Sequence, residues 1–394
     1  MNSRLLALFA AVVTLCLGAC NGGDKPGGGG GDASADTSVI KIGQFASLTG
    51  TEATFGQQVN NGMKLAVEEI NAAGGVLGKK IELITEDTES KPQSTKNAVE
   101  KLLSKDKVVA LIGEVASGRT LIAAPLATRE KVPLLTPAST NETVTVDESG
   151  AVREWVFRIC FIDPFQAQAM ARFAAENLGL KQIAILKGNA NPYSMGLAKN
   201  FTEAFTKLGG TIVEEQGYEE RQVDFKAQLT AIKAKNPQAI FMPGYYNEVS
   251  LVAAQARELG ITVPLLGCDG WDSPELTKGA AGKALEGCYF SNHYSETDSS
   301  AMVQGFVKKY TDTYKAAPGA MSALGYDAMR IVAKLIADGG SATPEAIQKG
   351  LAGLKGYSGV TGTISIDEKH NATKPAVVLQ IKDGKFAYHT TINP

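Results

Sequence analysis

From Val39 onward, short apolar runs alternate with stretches whose apolar residues recur every three or four positions. VIKIGQFAS (39–47), KKIELITED (79–87), VVALIGE (108–114) and VPLLTPA (132–138) are short and rich in β-branched residues, which predicts strands. Between them, 55–75, 92–105 and 117–131 carry the apolar spacing of amphipathic helices. Gly74 and Gly75 close the first helix, Pro92 opens the second, and Ser117 stands where an N-cap would open the third. The order then begins again. VFRICF, KQIAILKG, TIVEEQGY, AIFMPG and VPLLG read as strands, separated by helices at 167–180, 193–210, 224–236 and 248–260. Helices at 301–316, 320–337 and 344–354 follow, and the end reads as strands with a hairpin at Asp383-Gly384. Such alternation predicts doubly wound parallel sheets with right-handed crossovers. Two rounds of it predict two α/β lobes facing each other across a cleft.

Residues 1–38 break the pattern. One arginine precedes an apolar stretch from Leu5 to Leu17, too short to span a membrane comfortably and typical of a signal peptide over 1–19. Its end, Leu17-Gly18-Ala19-Cys20, resembles the lipobox of bacterial lipoproteins, in which the cysteine becomes an acylated N-terminus. An ordinary signal peptide with a chance cysteine is the alternative. Residues 20–38 are a glycine-rich tether with a mean reach of roughly 25 Å. These features predict a membrane-anchored lipoprotein on the periplasmic or cell-surface side.

The 394 residues allow two domains of ordinary size, and a net charge of -2 gives no field for nucleic acid or a polybasic membrane patch. Of five cysteines, Cys16 leaves with the leader and Cys20 takes lipid. Cys160, Cys268 and Cys288 remain, so at most one disulfide forms among them. Cys268 and Cys288 lie on consecutive predicted strands and are the candidate pair, with buried free thiols as the alternative. Their spacing fits no zinc site, and no metal or cofactor is implied.

In open α/β sheets, ligands sit at the carboxyl ends of the strands. In the first lobe those ends run into Val115-Ala116-Ser117-Gly118 and Ala138-Ser139-Thr140. Hydroxyls and free N–H groups at a helix start suit an anion such as a carboxylate, although plain capping needs only Ser117. In the second lobe the ends carry Tyr193, Tyr245 and Asp269, with Trp271 beside the acid. Aromatics supply apolar area and can face a cation. One lobe thus offers anion donors and the other an acid among aromatics, which matches a free α-amino acid.

These residues resemble the leucine/isoleucine/valine-binding protein family, through IGQFASLTGTEATFGQQVNNGMKLAVEEINAAGG, VALIGEVASGRTLIAAPLA, PLLTPAST, FRICFIDPFQA, FMPGYYNEVSLVAAQARELG, LLGCDGWDSPEL and ALGYDAMR. The likeness spans nearly all of 39–394. It implies the type I periplasmic binding fold, with three hinge strands near Arg158, Ser291 and 360–368. The lobes would be 39–158 plus 292–362, and 159–291 plus 363–394. It implies that Ser117, Ala138, Ser139 and Thr140 hold the ligand carboxylate, with Thr140 and the Ala138 carbonyl also reaching the ammonium. The acid on the ammonium falls on Asp269, where relatives often carry glutamate. The aromatic wall falls on Phe55, Tyr193, Tyr245 and Tyr326, with Trp271 added, and Val115 and Ala116 line the side-chain end. Ala116 stands where relatives place a disulfide cysteine.

The implied function is binding of an amino acid, branched-chain or otherwise apolar, for the permease of an ABC importer, by a monomer. A sensor of amides, urea or aromatic acids on the same fold is the second reading. An enzyme is not expected: His293, His370 and His389 are the three histidines and none lies in a metal or nucleophile motif. Arg119, one residue past the helix start, is expected to face solvent, which leaves no arginine for a second carboxylate.

Overall fold

The computed structural model describes residues 39–393. The expectations for the leader, Cys20 and the tether lie outside the described residues. In chain order, the first part contains β1 (Val39–Ala46), α1 (Ala53–Ala72), β2 (Lys80–Asp87), α2 (Pro92–Lys101), β3 (Ala110–Ile112), α3 (Ser117–Glu130), β4 (Leu134–Thr136) and β5 (Val156–Arg158). The second contains α4 (Asp163–Arg172), β6 (Gln182–Gly188), α5 (Pro192–Lys207), β7 (Thr211–Tyr218), α6 (Lys226–Ala234), β8 (Ala239–Phe241), α7 (Tyr246–Glu258), β9 (Leu265–Gly267), α8 (Gly279–Ala284) and β10 (Tyr289–Asn292). Then come α9 (Ala301–Tyr314), α10 (Ala320–Gly339), α11 (Pro344–Ala352), β11 (Tyr357–Gly359), β12 (Gly362–Ile366), β13 (Ala372–Thr373), β14 (Ala376–Lys382) and β15 (Lys385–Ile392).

One sheet has the order β2-β1-β3-β4-β5 and is parallel throughout. The other has the order β15-β14-β10-β9-β8-β6-β7, with β14 and β15 antiparallel at one edge. The expected hairpin turn holds Asp383 and Gly384, both at positive φ, 51° and 67°. A small antiparallel sheet joins β11, β12 and β13.

The strands of the first sheet are continuous apolar runs because both faces are covered. Ile40, Ile42, Ile112 and Leu135 face α1 and α10. Phe45, Leu111, Leu134 and Val156 face the opposite way, onto α2 and α3. On α1 the buried stripe is Phe55, Val59, Met63 and Ala66, and it packs on α10 at close range. Glycines allow that approach. A Cβ on Gly62 would collide with the Ser322 carbonyl, and one on Gly325 with the Val59 carbonyl.

The chain passes between the two large sheets after β5 and again after β10. The third change falls at Lys374 and Pro375, later than the 360–368 implied by the resemblance, because β12 and β13 stay paired with β11. These passages are polar although buried. Arg158 is 0% exposed. Its guanidinium donates to the carbonyls of Ser139 and Asn141, both at 2.7 Å, and to Thr145 Oγ1 at 3.2 Å. Asp163, also buried, opens α4 and donates its N–H to the Thr140 carbonyl at 2.9 Å. Burial pushes its carboxyl up to about 7.

The proposed cysteine pair is not formed: Cys160, Cys268 and Cys288 are free and buried. The reason is register. β9 and β10 pair in parallel with Tyr289 beside Leu266 and Phe290 beside Gly267. Cys288 therefore lies level with Leu265, whose N–H meets its Sγ at 3.3 Å. Cys268 lies three residues farther along, about 10 Å away at the strand rise. A disulfide needs Cα atoms within about 7 Å. Burial pushes both thiols up and keeps them unreactive.

Two outcomes follow from this packing. Gly62→Leu or Gly325→Val should lower unfolding free energy by at least about 1–3 kcal/mol, because backbone carbonyls block the added atoms; urea titration tests this, and wild-type stability in both variants would contradict the close crossing. A raised carboxyl stabilises the fold while neutral, so the contribution of Asp163 is present below about pH 4 and lost as pH rises through about 7. Between pH 4 and 8, Asp163→Asn should therefore lose less stability than the wild type, by on the order of a few kcal/mol. Parallel urea-derived curves for the two proteins would contradict the burial of an ionisable Asp163.

Candidate ligand-binding site

The tips of strands from both large sheets meet over a common gap, and the charged centre lies at the end of β9. A 3-10 turn at Asp269–Trp271 follows that strand directly and turns the acid inward, leaving it 2% exposed. Asp269 Oδ1 accepts from the Tyr193 hydroxyl at 2.9 Å, and Oδ2 lies 2.9 Å from His293 Nε2. Tyr193 sits in the first turn of α5, placed by Asn191, whose side chain accepts from the N–H groups of Tyr193 and Ser194. Its hydroxyl also accepts from the Gly270 N–H at 2.8 Å, so the turn and the tyrosine hold each other.

His293 follows β10, the neighbour of β9, and stacks on Phe161 with ring centroids 3.9 Å apart. Burial pulls its ring below the usual histidine value, so it is neutral at pH 7. A carboxylate can only accept, so the single ring N–H is on Nε2. Burial likewise holds the Tyr193 hydroxyl in its protonated form. Asp269 is thus gripped by two neutral donors, which fix its position and leave its charge uncancelled.

Tyr245 stacks on Tyr193 at 5.0 Å, and Phe55 from α1 meets the edges of Tyr245 and Tyr246 at 5.6 and 4.9 Å. The two sides touch through polar contacts as well. The Tyr246 hydroxyl donates to the Thr51 carbonyl at 3.0 Å, and Asn141 Nδ2 donates to the Pro192 carbonyl at 2.8 Å. This is a closed arrangement.

On the opposite side, α3 begins at Ser117. The N-cap is Ala116, not Ser117, and no side chain caps the helix. The Arg119 N–H is taken by the Ala116 carbonyl at 3.0 Å, while the Ser117 and Gly118 N–H groups have no partner within the helix and carry its positive end. Ser117 Oγ accepts from the Asn141 N–H at 3.3 Å. Thr140 Oγ1 is buried and faces the Asp163 carboxyl, in a contact too poorly aligned for a good hydrogen bond. Ala138 is buried beside it. Val115 and Ala116 donate their N–H groups to Glu114 Oε2 at 2.8 and 3.0 Å, which sets the shape of the loop before α3.

Four expectations change. Tyr326 is not in the wall: it lies on α10 with its hydroxyl on Glu69 at 2.6 Å, beside Phe306 and Arg330. The helical phase that buries Met321, Leu324 and Ala328 turns it away from the gap. Trp271 is core of the second sheet, with Nε1 donating to the Met242 carbonyl at 3.1 Å and its ring over Phe290. The Ser139 hydroxyl is used up by the carbonyls of Glu114 and Val115 and by Thr120, at 2.8, 3.1 and 2.6 Å. Arg119 does not face solvent. Its side chain is 11% exposed and forms ion pairs with Glu52 and, at 3.5 Å, with Glu114.

The same arrangement brings in residues that the sequence reading passed over: His293, Gln166, Glu52, Glu114 and Glu248. The strand-end argument that selected Asp269 selects His293 too once β10 is placed beside β9. A cavity of about 270 Å³ remains between the two sides. Ala116, Arg119 and Glu52 line it from one side, and Asn191, Tyr245 and Glu248 from the other. No group of residues that could hold a metal ion occurs among the described residues, and none of their helices is long and apolar enough to cross a membrane.

Comparison with known proteins agrees with this geometry. The periplasmic binding protein family matches residues 39–385. A Leu/Ile/Val-binding protein homolog of Brucella melitensis is 29% identical over 98% of this chain and 99% of its own length. A leucine-binding protein structure from Thermotoga maritima superposes with a TM-score of 0.85 at 40% identity, covering 90% of this chain and 99% of that one. A branched-chain amino acid transporter substrate-binding protein from Streptococcus pneumoniae, solved with isoleucine, gives 0.84 at 34% identity, covering 90% and 100%. The chain therefore belongs to the periplasmic binding protein family, has its type I fold, and is a binding protein, not an enzyme.

Proposed function

We propose that this protein captures a free α-amino acid between its two lobes and presents it to the permease of an ABC importer. The single observation that carries this reading is the pairing of opposite clamps. Asp269, held by Tyr193 and His293, offers a negative charge on one side. The open start of α3, with the Thr140 hydroxyl near it, offers donors on the other. An ammonium and a carboxylate on one carbon satisfy both. Phe55, Tyr245, Val115 and Ala116 supply an apolar wall, and the relatives named for leucine, isoleucine and valine support a branched-chain side chain.

In this reading the lobes are 39–158 plus 292–374, and 159–291 plus the last two strands, joined by the three passages. Ligand touching both lobes favours the closed state, which a permease can recognise. Acylation at Cys20 and the glycine-rich tether would hold the monomer on the outer side of the membrane.

Thermal unfolding of refolded protein against the twenty amino acids tests the proposal. A ligand at 100 times its Kd adds about 2.7 kcal/mol to the folded state, and Tm rises by a few degrees. Leucine, isoleucine or valine should give that rise. Truncating one member of a buried charge pair costs about 2–5 kcal/mol, so Asp269→Ala should bind roughly 30- to several-thousand-fold more weakly. No response to any amino acid, or undiminished affinity in the variant, would count against the clamp.

A further inference from the structure

The cavity between the two sides shares Ala116 and Tyr245 with the apolar wall and carries charged groups. Glu248 reaches it from the third position of α7 and is 9% exposed. Arg119 faces it from the other lobe and its charge acts on the Glu248 carboxyl. The ion pairs of Arg119, however, go to Glu52 and Glu114 on its own side. Glu248 is thus a nine-tenths buried carboxyl lining an interlobe cavity, and it shares the Arg119 charge with Glu52 and Glu114 without a direct ion pair of its own. Burial pushes it up to about 7, against the pull of its own helix start and Asn247. The helix start and Asn247 occupy only part of the carboxyl, and a purely aliphatic side chain filling this space would leave its remaining lone pairs against hydrocarbon, which is unfavourable. A side chain ending in N–H groups would supply that donor.

We propose that Glu248 is a specificity-determining residue that lets this cleft accept α-amino acids whose side chain ends in an N–H donor, in addition to branched-chain ones. The proposal rests on the amino-acid reading of the head-group clamp. The ligand's N–H group donates to the Glu248 carboxyl, and the Arg119–Glu52 pair forms the opposite wall. Glutamine, arginine and lysine represent the class with neutral and charged ends.

Calorimetric titration of the purified, refolded protein with these three ligands and with leucine tests it, in the wild type and in Glu248→Met. Methionine keeps the length and apolar stem of the side chain and removes the acceptor. At least one of the three should bind the wild type within about tenfold of leucine, given a charged hydrogen bond of about 1.5–3 kcal/mol. In Glu248→Met the preference should move toward leucine by about 10- to 100-fold. Leucine binding with no response to the other three, or an unchanged preference in the variant, overturns this inference and leaves the amino-acid reading standing. Silence toward every amino acid overturns both. Should Glu248→Met fail to fold, Glu248→Gln is titrated instead: an arginine or lysine affinity equal to wild type would overturn the role of the carboxyl charge.

Discussion

A single negative charge held without being neutralised is the constraint around which this molecule is arranged. Asp269 is almost completely buried, and burying a carboxylate is costly unless its oxygens are hydrogen-bonded. Tyr193 and His293 meet that requirement with neutral donors. A lysine or arginine in either place would have cancelled the charge and left nothing for a ligand. The solution demands that histidine and tyrosine remain uncharged, which their burial secures.

The fold supplies that geometry through strand order. β9 and β10 are neighbours, so their carboxyl ends deliver Asp269 and His293 side by side. α5 begins after β6 and aims Tyr193 at the same point. The opposing lobe brings a helix start with no side-chain cap, and Arg158 secures the loop after β4 by holding the carbonyls of Ser139 and Asn141. Polar groups at the passages between the sheets thus position the donor side, while apolar packing on both faces of each sheet keeps the strand tips rigid. The two lobes meet at aromatic edges and a few hydrogen bonds, and one buried apolar cluster runs on from the first sheet into the second.

Much of this was legible in the sequence, for a local reason. The switch between continuous apolar runs and helix spacing marks each element, and the residue after a strand is near the cleft whatever the rest of the chain does. Asp269, Tyr193 and Tyr245 were read that way, whereas Phe55, inside α1, came from the resemblance alone. What stayed hidden depended on order, register or phase. His293 becomes visible only once β10 is known to lie beside β9. Cys268 and Cys288 look paired until the parallel register sets them apart. Trp271 stands two residues from Asp269 and Tyr326 was placed in the wall by the resemblance, yet the tight turn after β9 and the phase of α10 point them elsewhere. Arg119 reads as a surface residue because its partner Glu52 is supplied by a distant loop.

The most direct test of the central charge is to remove the ligand's ammonium and leave everything else in place. Calorimetry would compare leucine with 4-methylpentanoate, which keeps the carboxylate and the branched chain. The account predicts that leucine binds and that the analogue binds at least about 100-fold more weakly, since Asp269 then faces hydrocarbon and loses its partner. Equal affinity for the two would contradict it, and would mean that the buried acid serves the fold and the cleft recognises a carboxylate alone.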